Sequence, residues 1–453
     1  MLRVANVQGF WGDSMDAPAR TVRRQPNLDY MTLDYLAEVS MSILAVQRER
    51  DPNAGYARDF VDVVKSLIPA WQSGAKVKVI SSAGGLNPNG CAQACIQALQ
   101  EGGCTGMKVG VVSGDDIVSL VRSDFTENPT ADYPNLEDGA SIRTVLDRLV
   151  TANAYFGAAP IVEALRMGAN IVVTGRVADP SLTVAPTVFH YGWDWTDYDC
   201  LAGAVVAGHL IECGAQITGG ISTEWLDVSD PANMGYPIAE MHEDGSCVIT
   251  KPEGTGGVVN ERTVKEQLLY EIGDPAKYIT PDATASLFSL EVREEAPNRV
   301  RVSGARGIAP PHTYKVSATY RDGFWAQGQI TVFGRDAVAK ANRCGAVIFE
   351  RVRQAGYDLQ RTSVECLGSG ACAPGIVPEP RDGLETVLRI SAADTRREAV
   401  ERFTKEIAPL VTNGPQGVTG YAAGRPLVHP VFGYWPCLID KSRVQPRVNI
   451  YDV

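Results

Sequence analysis

Four stretches of the chain repeat one pattern of apolar and polar positions: a short Val/Ile-rich run, a Gly-rich polar turn, then helix-like spacing. LRVANV passes into QGFWGDS at residues 8–14, and KVKVIS into SAGGLNPNG at 82–90, with CAQACIQALQEGG behind it. MKVGVVS passes into GDD at 114–116. ANIVVT, preceded by the periodic IVEALRMG, passes into GRVADPS at 175–181. Strands buried on both faces lose their polar alternation, and parallel neighbours need long crossovers, so this pattern predicts βαβ units. The expected fold class is α/β: an N-terminal doubly wound, mostly parallel sheet of Rossmann-like type, followed by an α+β C-terminal region.

From about residue 221 the texture changes. SCVIT, RVRVSG, TYKVSATY and GQITVFG are shorter runs separated by turn signals at EDG, EGTGG and RDG, which predicts antiparallel strands. A helix is predicted over 336–356, and the Pro- and Gly-rich segment 368–383 reads as a loop or linker. The expected domains are a Rossmann-like α/β unit over 1–225, an α+β unit over 226–367, the loop 368–383, and a small α+β module over 384–453.

Composition then narrows the partners. The 453 residues are 45% hydrophobic, enough to build a sizeable core without disulfide or metal staples. Lys and Arg number 42 against 53 Asp and Glu, for a net charge of -11. A phosphate backbone or an anionic membrane surface needs a dense basic face, so neither nucleic acid nor membrane is an expected partner. The opening MLRVANVQGFWGDS is interrupted by Asn6, Gln8 and Gly9, and carries no export pattern. No apolar run approaches the roughly 18 residues of a membrane helix, and the expected location is cytoplasmic. Ten cysteines without a CxxC are expected to be mostly buried small hydrophobes.

In open parallel sheets the ligand crevice lies at the carboxyl ends of the strands. The four Gly-rich turns would gather Asp13, Asn87, Asp115, Asp116, Arg176 and Asp179 at that edge. GxGxxG, GxxxxGK[ST] and GxSxG are all missing, so no cofactor is expected from motifs. His209 and Glu212 are three residues apart in a helical pattern, which makes them neighbours on one face. The carboxylate could orient the imidazole and raise its basicity for proton abstraction. The same pair could supply two ligands to a divalent metal, with more required from elsewhere, or form a purely structural bridge at the helix end.

Asp115 and Asp116, the other catalytic candidates, either share a site where repulsion raises one pKa or cap the next helix. Arg176 either binds a carboxylate or phosphate bidentately or bridges Asp179. Lys251 with Gly254, Thr255 and Gly256 in KPEGTGG either forms an anion-binding nest at a helix N-terminus or is a plain entry loop. The small-residue stretch LAGAVVAGHLIECGA packs on the sheet or on a second subunit, so a homo-oligomer is compatible with it.

Together these motifs resemble the acyclic terpene utilization AtuA-like family. The resemblance is carried by GFWGDS, DYLAE at 34–38, SAGGLNPNG, SGDD, NIVVTGRVADPSL, GHLIECGAQITGG, ITKPEGTGG, TVKEQLLYEIGDPAKYITPD, VSGARG and AAGRP. They stand in the family's order to about residue 426. One departure is SSAGG, where an Asn more often precedes AGG, so Ser82 would alter any contact made there. The resemblance implies a catabolic enzyme acting on a branched or terpenoid acyl-CoA or related β-hydroxy acid by lyase or hydratase-type chemistry. It would work beside acyl-CoA carboxylases, enoyl-CoA hydratases and acyl-CoA dehydrogenases, and one implied step is cleavage of a 3-hydroxy-3-alkylglutaryl-CoA that releases acetate. The alternatives are a non-catalytic, acyl-CoA-binding partner of a carboxylase, or a small-molecule isomerase or hydrolase.

Overall fold

The computed structural model describes residues 1–128, 131–376, 383–419 and 424–453. It divides into two compact units, one of Met1–Thr319 with Tyr434–Val453, the other of Tyr320–Gly433. The first is a mixed α/β unit around a 10-stranded sheet. At its centre Leu2–Asn6, Tyr30–Leu33, Lys78–Ser81, Ile171–Thr174 and Lys108–Ser113 lie side by side in that order, all parallel. Four of these strands are the apolar runs that precede the Gly-rich turns. The fifth, YMTL at Tyr30–Leu33, is four residues long and gave no periodic signal.

Antiparallel strands flank this centre, so the sheet is mixed rather than mostly parallel. Ile238–Met241 pairs with Leu2–Asn6, and Cys247–Thr250, Arg299–Ser303 and Glu291–Ala296 follow outward. Arg447–Asp452 closes the other edge against Lys108–Ser113. Ile171–Thr174 lies between Lys78–Ser81 and Lys108–Ser113, an order that differs from the 3-2-1-4-5-6 arrangement of dinucleotide-binding sheets. The chain does not leave the sheet at residue 225, where a boundary was expected. The hairpin 238–250 is largely buried and continues the same ladder. Nor do residues 384–453 form a module of their own, since Arg447–Asp452 returns to the large sheet.

Helices cover both faces of the parallel centre. On one face Ala5, Met31 and Val79 pack with Phe60, Val63 and Cys95 from the helices Asp59–Gln72 and Pro88–Glu101. On the other, the buried Asn6 donates from Nδ2 to the carbonyls of Ile211 at 2.8 Å and Glu212 at 2.6 Å. Those are orphan carbonyls of the helix Tyr198–Glu212, so a polar residue inside an apolar strand fixes where that helix ends. The same helix is buried from Leu201 to Ile211. A Cβ on its Gly203 would stand 2.1 Å from the Gly245 carbonyl oxygen, and one on Gly208 2.7 Å from Pro180 Cα. Its small residues therefore serve close packing within the unit. A three-stranded sheet of Arg306–Ile308, Thr284–Ser286 and Tyr278–Ile279 also packs beside it.

In the second unit, Arg361–Leu367, Glu385–Asp394 and the later part of Thr313–Phe333 pair antiparallel. The helices Ala337–Gln354 and Arg397–Lys405 supply Ile348 and Phe403 to a core with Ile330, Leu388 and Ile390. The RDG turn expected at 321–323 is instead the interior of the 21-residue strand Thr313–Phe333. Gly323 is there because a side chain would meet the Asp394 carbonyl oxygen at 2.5 Å. Residues 377–382 of the expected loop 368–383 lie outside the described residues. No helix among the described residues is long and apolar enough to cross a membrane. All ten cysteines are free thiols, and most are buried.

Candidate active site

The carboxyl ends of the parallel strands open onto a cleft of two adjoining chambers, about 350 and about 540 Å³, which share Glu38, Asp179, Glu212 and Glu271. The smaller chamber has His209, Tyr155, Tyr278 and Lys315 around it and an apolar wall that includes Pro180, Ile272, Ile279, Pro311 and Leu438. The larger is lined by six carboxyl side chains, Asp13, Asp34, Glu38, Asp179, Glu212 and Glu271, with Phe10, Ile221 and Tyr270 among its apolar neighbours.

The helix Tyr198–Glu212 places His209 and Glu212 on one face, as their spacing predicts. His209 Nδ1 lies 3.0 Å from Glu212 Oε1, and the side chains are 2% and 10% exposed. The Tyr278 ring meets the imidazole edge-on at 5.2 Å. His209 Nε2 and Glu212 Oε2 are buried and have no hydrogen-bond partner among the described residues. Burial works against protonating His209, but the hydrogen bond and charge of Glu212 outweigh it and raise its pKa. Burial pushes Glu212 up to about 7, against the pull of His209. The pair thus keeps a shared proton into the neutral range, with one free polar atom on each partner.

Asp34 and Glu38 come from DYLAE, after the second parallel strand. Asp34 is buried, with Oδ1 accepting from the Ser82 hydroxyl at 2.8 Å and from the Leu36 amide at 3.3 Å. Burial and the nearby Asp179 charge raise its pKa well above the carboxylate range. Glu38 behaves oppositely: burial favours its neutral form, yet Arg176, the Tyr155 hydroxyl and Lys315 together hold its pKa below the ordinary value. Tyr155 donates to Glu38 Oε1 at 2.7 Å, and Lys315 Nζ is 3.5 Å from the same oxygen. Glu271 lines both chambers with φ of 60°, a left-handed conformation that a non-glycine residue adopts at a cost of about 1 kcal/mol or more.

Arg176 lies beneath the cleft, 1% exposed. Its guanidinium donates to the Leu36 carbonyl, to Asp179 Oδ1 at 2.8 Å and to the Tyr155 hydroxyl at 3.0 Å, and stacks 4.2 Å over the Tyr155 ring. It holds together three segments at the carboxyl edge and lines neither chamber, so of its two expected roles the geometry matches the bridge to Asp179. Asp115 is likewise internal. Its Oδ2 accepts from Asn153 Nδ2 and the Arg176 amide, both at 2.8 Å, and burial raises its pKa to about 6. Asp116 stands one residue before the N-cap of the helix Val118–Glu127 and accepts from the Val118 amide at 3.2 Å, with Arg48 3.7 Å away.

Asn87 caps the helix Pro88–Glu101: Oδ1 accepts from the Gly90 amide at 2.9 Å while Nδ2 donates to the carbonyls of Asn53 and Ala54. Lys251 turns inward onto the Thr255 carbonyl at 2.7 Å. Its loop with Gly254, Thr255 and Gly256 is separated from the helix Glu261–Leu269, which Asn260 caps, so no nest stands at that helix N-terminus. Of the residues singled out from sequence, the cleft gathers Asp13, Asp179, His209 and Glu212. It adds Asp34, Glu38, Tyr155, Glu271, Tyr278 and Lys315. DYLAE holds Asp34 and Glu38, and TVKEQLLYEIGDPAKYITPD holds Glu271 and Tyr278; Tyr155 and Lys315 stand in no family motif. No group of three or more His, Cys, Asp or Glu among the described residues is arranged to hold a metal ion.

Fold and site together define a mixed α/β protein with a carboxyl-rich cleft at the carboxyl edge of its parallel strands. Comparison with known proteins then gives its family. Over residues 2–450 the chain matches the acyclic terpene utilisation family protein AtuA, and it belongs to that family; a role in acyclic terpene utilisation is what the membership supports. Neither the curated proteins nor the solved structures compared with it give a match.

Proposed function

We propose that this protein is a catabolic enzyme of lyase or hydratase type, acting at the β-hydroxyl of a branched acyl-CoA or related β-hydroxy acid. The observation that carries this reading is the buried His209–Glu212 pair, with Nε2 and Oε2 unpartnered beside an apolar wall suited to a branched hydrocarbon. Groups whose surroundings push their pKa values apart divide into acid and base. The His209–Glu212 pair, raised, is the acid, and Glu38, lowered, is the ionised base. Asp115 and Asp116 give up that role because neither lines the cleft.

For loss of water, Glu38 takes the Cα proton, the electron pair forms the double bond, and the hydroxyl leaves as water with the proton from His209. For carbon–carbon cleavage, Glu38 takes the hydroxyl proton and His209 returns one to the released α-carbon. The purified protein is incubated with branched 3-hydroxyacyl thioesters and the matching free acids, and products are followed by mass spectrometry. Loss of water keeps the carbon count, while cleavage gives two fragments. A positioned acid or base is worth roughly 10²–10⁴ in rate, so His209→Asn and Glu38→Gln are each expected to lower turnover by about a hundredfold or more with folding intact. No turnover across the panel overturns the reading and leaves a binding partner without chemistry.

A further inference from the structure

The larger chamber holds more than the acid–base pair requires. Its six carboxyl side chains face no Lys or Arg among the described residues that line it; Lys315 is the one such residue around the cleft, and it lines only the smaller chamber. An acidic concavity alone would suit a cation. Two further observations point elsewhere. Glu212 is nine-tenths buried and its Oε2 is an acceptor without a donor among the described residues, while Gln216, lining the same chamber, has a buried Nε2 donor without an acceptor among them. A hydroxyl can serve both orphans, because it donates one hydrogen bond and accepts others. An ammonium can satisfy only the Glu212 oxygen. A carboxylate or phosphate can satisfy only the Gln216 amide; everywhere else it meets carboxyl oxygens, among them the ionised Glu38, with no lining Lys or Arg to offset them among the described residues.

We propose that the larger chamber is a hydroxyl-recognising subsite that excludes anions, taking the uncharged hydroxylated end of the ligand and leaving any ionised end to Lys315 or the cleft mouth. This rests on the function proposed above, and it deepens that reading by stating which end of the substrate enters which chamber, with the reacting hydroxyl at the boundary formed by the shared Glu38 and Glu212, next to His209 on the smaller side. A site built to hydrogen-bond a hydroxyl discriminates strongly against ligands that lack one, since its own buried groups are then left unpaired.

The test is calorimetric titration of the whole chain at neutral pH with three ligands that share one branched hydrocarbon chain and end in a hydroxyl, a carboxylate or an ammonium. The alcohol is expected to bind at least about tenfold more tightly than either ion. Gln216→Leu should bring the alcohol down toward the ions. Glu271→Gln changes an exposed residue and keeps the fold, and should strengthen carboxylate binding several-fold with little effect on the alcohol. Equal or tighter binding of the carboxylate, tightest binding of the ammonium, or a preference unmoved by both substitutions overturns the proposal. Binding is read without turnover, so a chemically inert protein would still show the preference, and failure of the proposed reaction remains a separate result.

Discussion

Replacing Arg176 with Met separates two accounts of this residue by magnitude. If it were an anion clamp, the change would weaken ligand binding and leave stability nearly untouched. The structure instead shows a guanidinium 1% exposed that pairs with Asp179, bonds Tyr155 and the Leu36 carbonyl, and stacks on the Tyr155 ring. Breaking a fully buried pair costs about 3–5 kcal/mol, but Asp179 is 34% exposed to the cleft, so its share is smaller. A hydrogen bond to a charged group is worth about 1.5–3 kcal/mol, and those to the Leu36 carbonyl and the Tyr155 hydroxyl are buried. The expected loss is therefore about 2–4 kcal/mol in urea unfolding followed by circular dichroism. Arg176→Lys keeps the charge but not the fork, and should recover part of the loss. A loss for Arg176→Met below about 1 kcal/mol, together with weakened carboxylate binding, would refute the bridging account and restore the clamp.

Asp115 gives a pH prediction. Its folded pKa of about 6 stands above the ordinary 3.8, so its contribution is complete below 3.8 and is lost as pH rises to about 6. Each pH step is worth ~1.4 kcal/mol, so the window amounts to roughly 3 kcal/mol, and Asp115→Asn should flatten the decline of urea midpoints between pH 4 and 6. Asn87→Ala removes a helix cap and should cost about 1 kcal/mol in the same assay without changing ligand affinity. Lys251→Ala should leave carboxylate and alcohol binding unaltered by calorimetry, since its ammonium is spent on the Thr255 carbonyl. Gly203→Ala drives a methyl onto the Gly245 carbonyl, and should lower the unfolding free energy from urea titration by about 1–3 kcal/mol through overpacking strain.

The parallel centre was legible because strands buried on both faces write themselves as apolar runs, and because glycine marks the turns that follow. The HxxE pair was legible because helical spacing fixes which side chains are neighbours. What escaped were contacts made across long sequence separations. Nothing local in YMTL marks a central strand, and nothing local in RDG distinguishes a turn from a close approach to the Asp394 carbonyl. Arg176 shows the same limit: its strand-end position and its bridge to Asp179 are legible from spacing, but its other partners, Leu36 and Tyr155, are far away in sequence. Ser82, the departure from the family pattern, lies against the Asp34 carboxyl, a pairing 48 residues apart.

The gathering of so many carboxyl groups at one edge follows from the fold itself. Parallel strands send each following helix away from their carboxyl ends, so helix N-termini collect there, and their macrodipoles favour negative charge by about 0.3–1 kcal/mol each. Asp13 precedes the helix Ala17–Arg24, Glu38 is the first residue of Glu38–Arg50, and Asp179 precedes Ser181–Tyr191. Glu212 is the exception, because it closes its helix at the C-terminal end, where the dipole disfavours a carboxylate and favours an imidazolium. Burial alone would raise Glu212 and lower His209; the helix end pushes both upward. Against its burial, Glu38 is held down mainly by Arg176, Tyr155 and Lys315, and the His209–Glu212 pair is held up by burial and its own hydrogen bond. The opposite ends of their two helices act in the same sense, and that polarity, more than the net charge of -11, is what the proposed acid–base reading draws on.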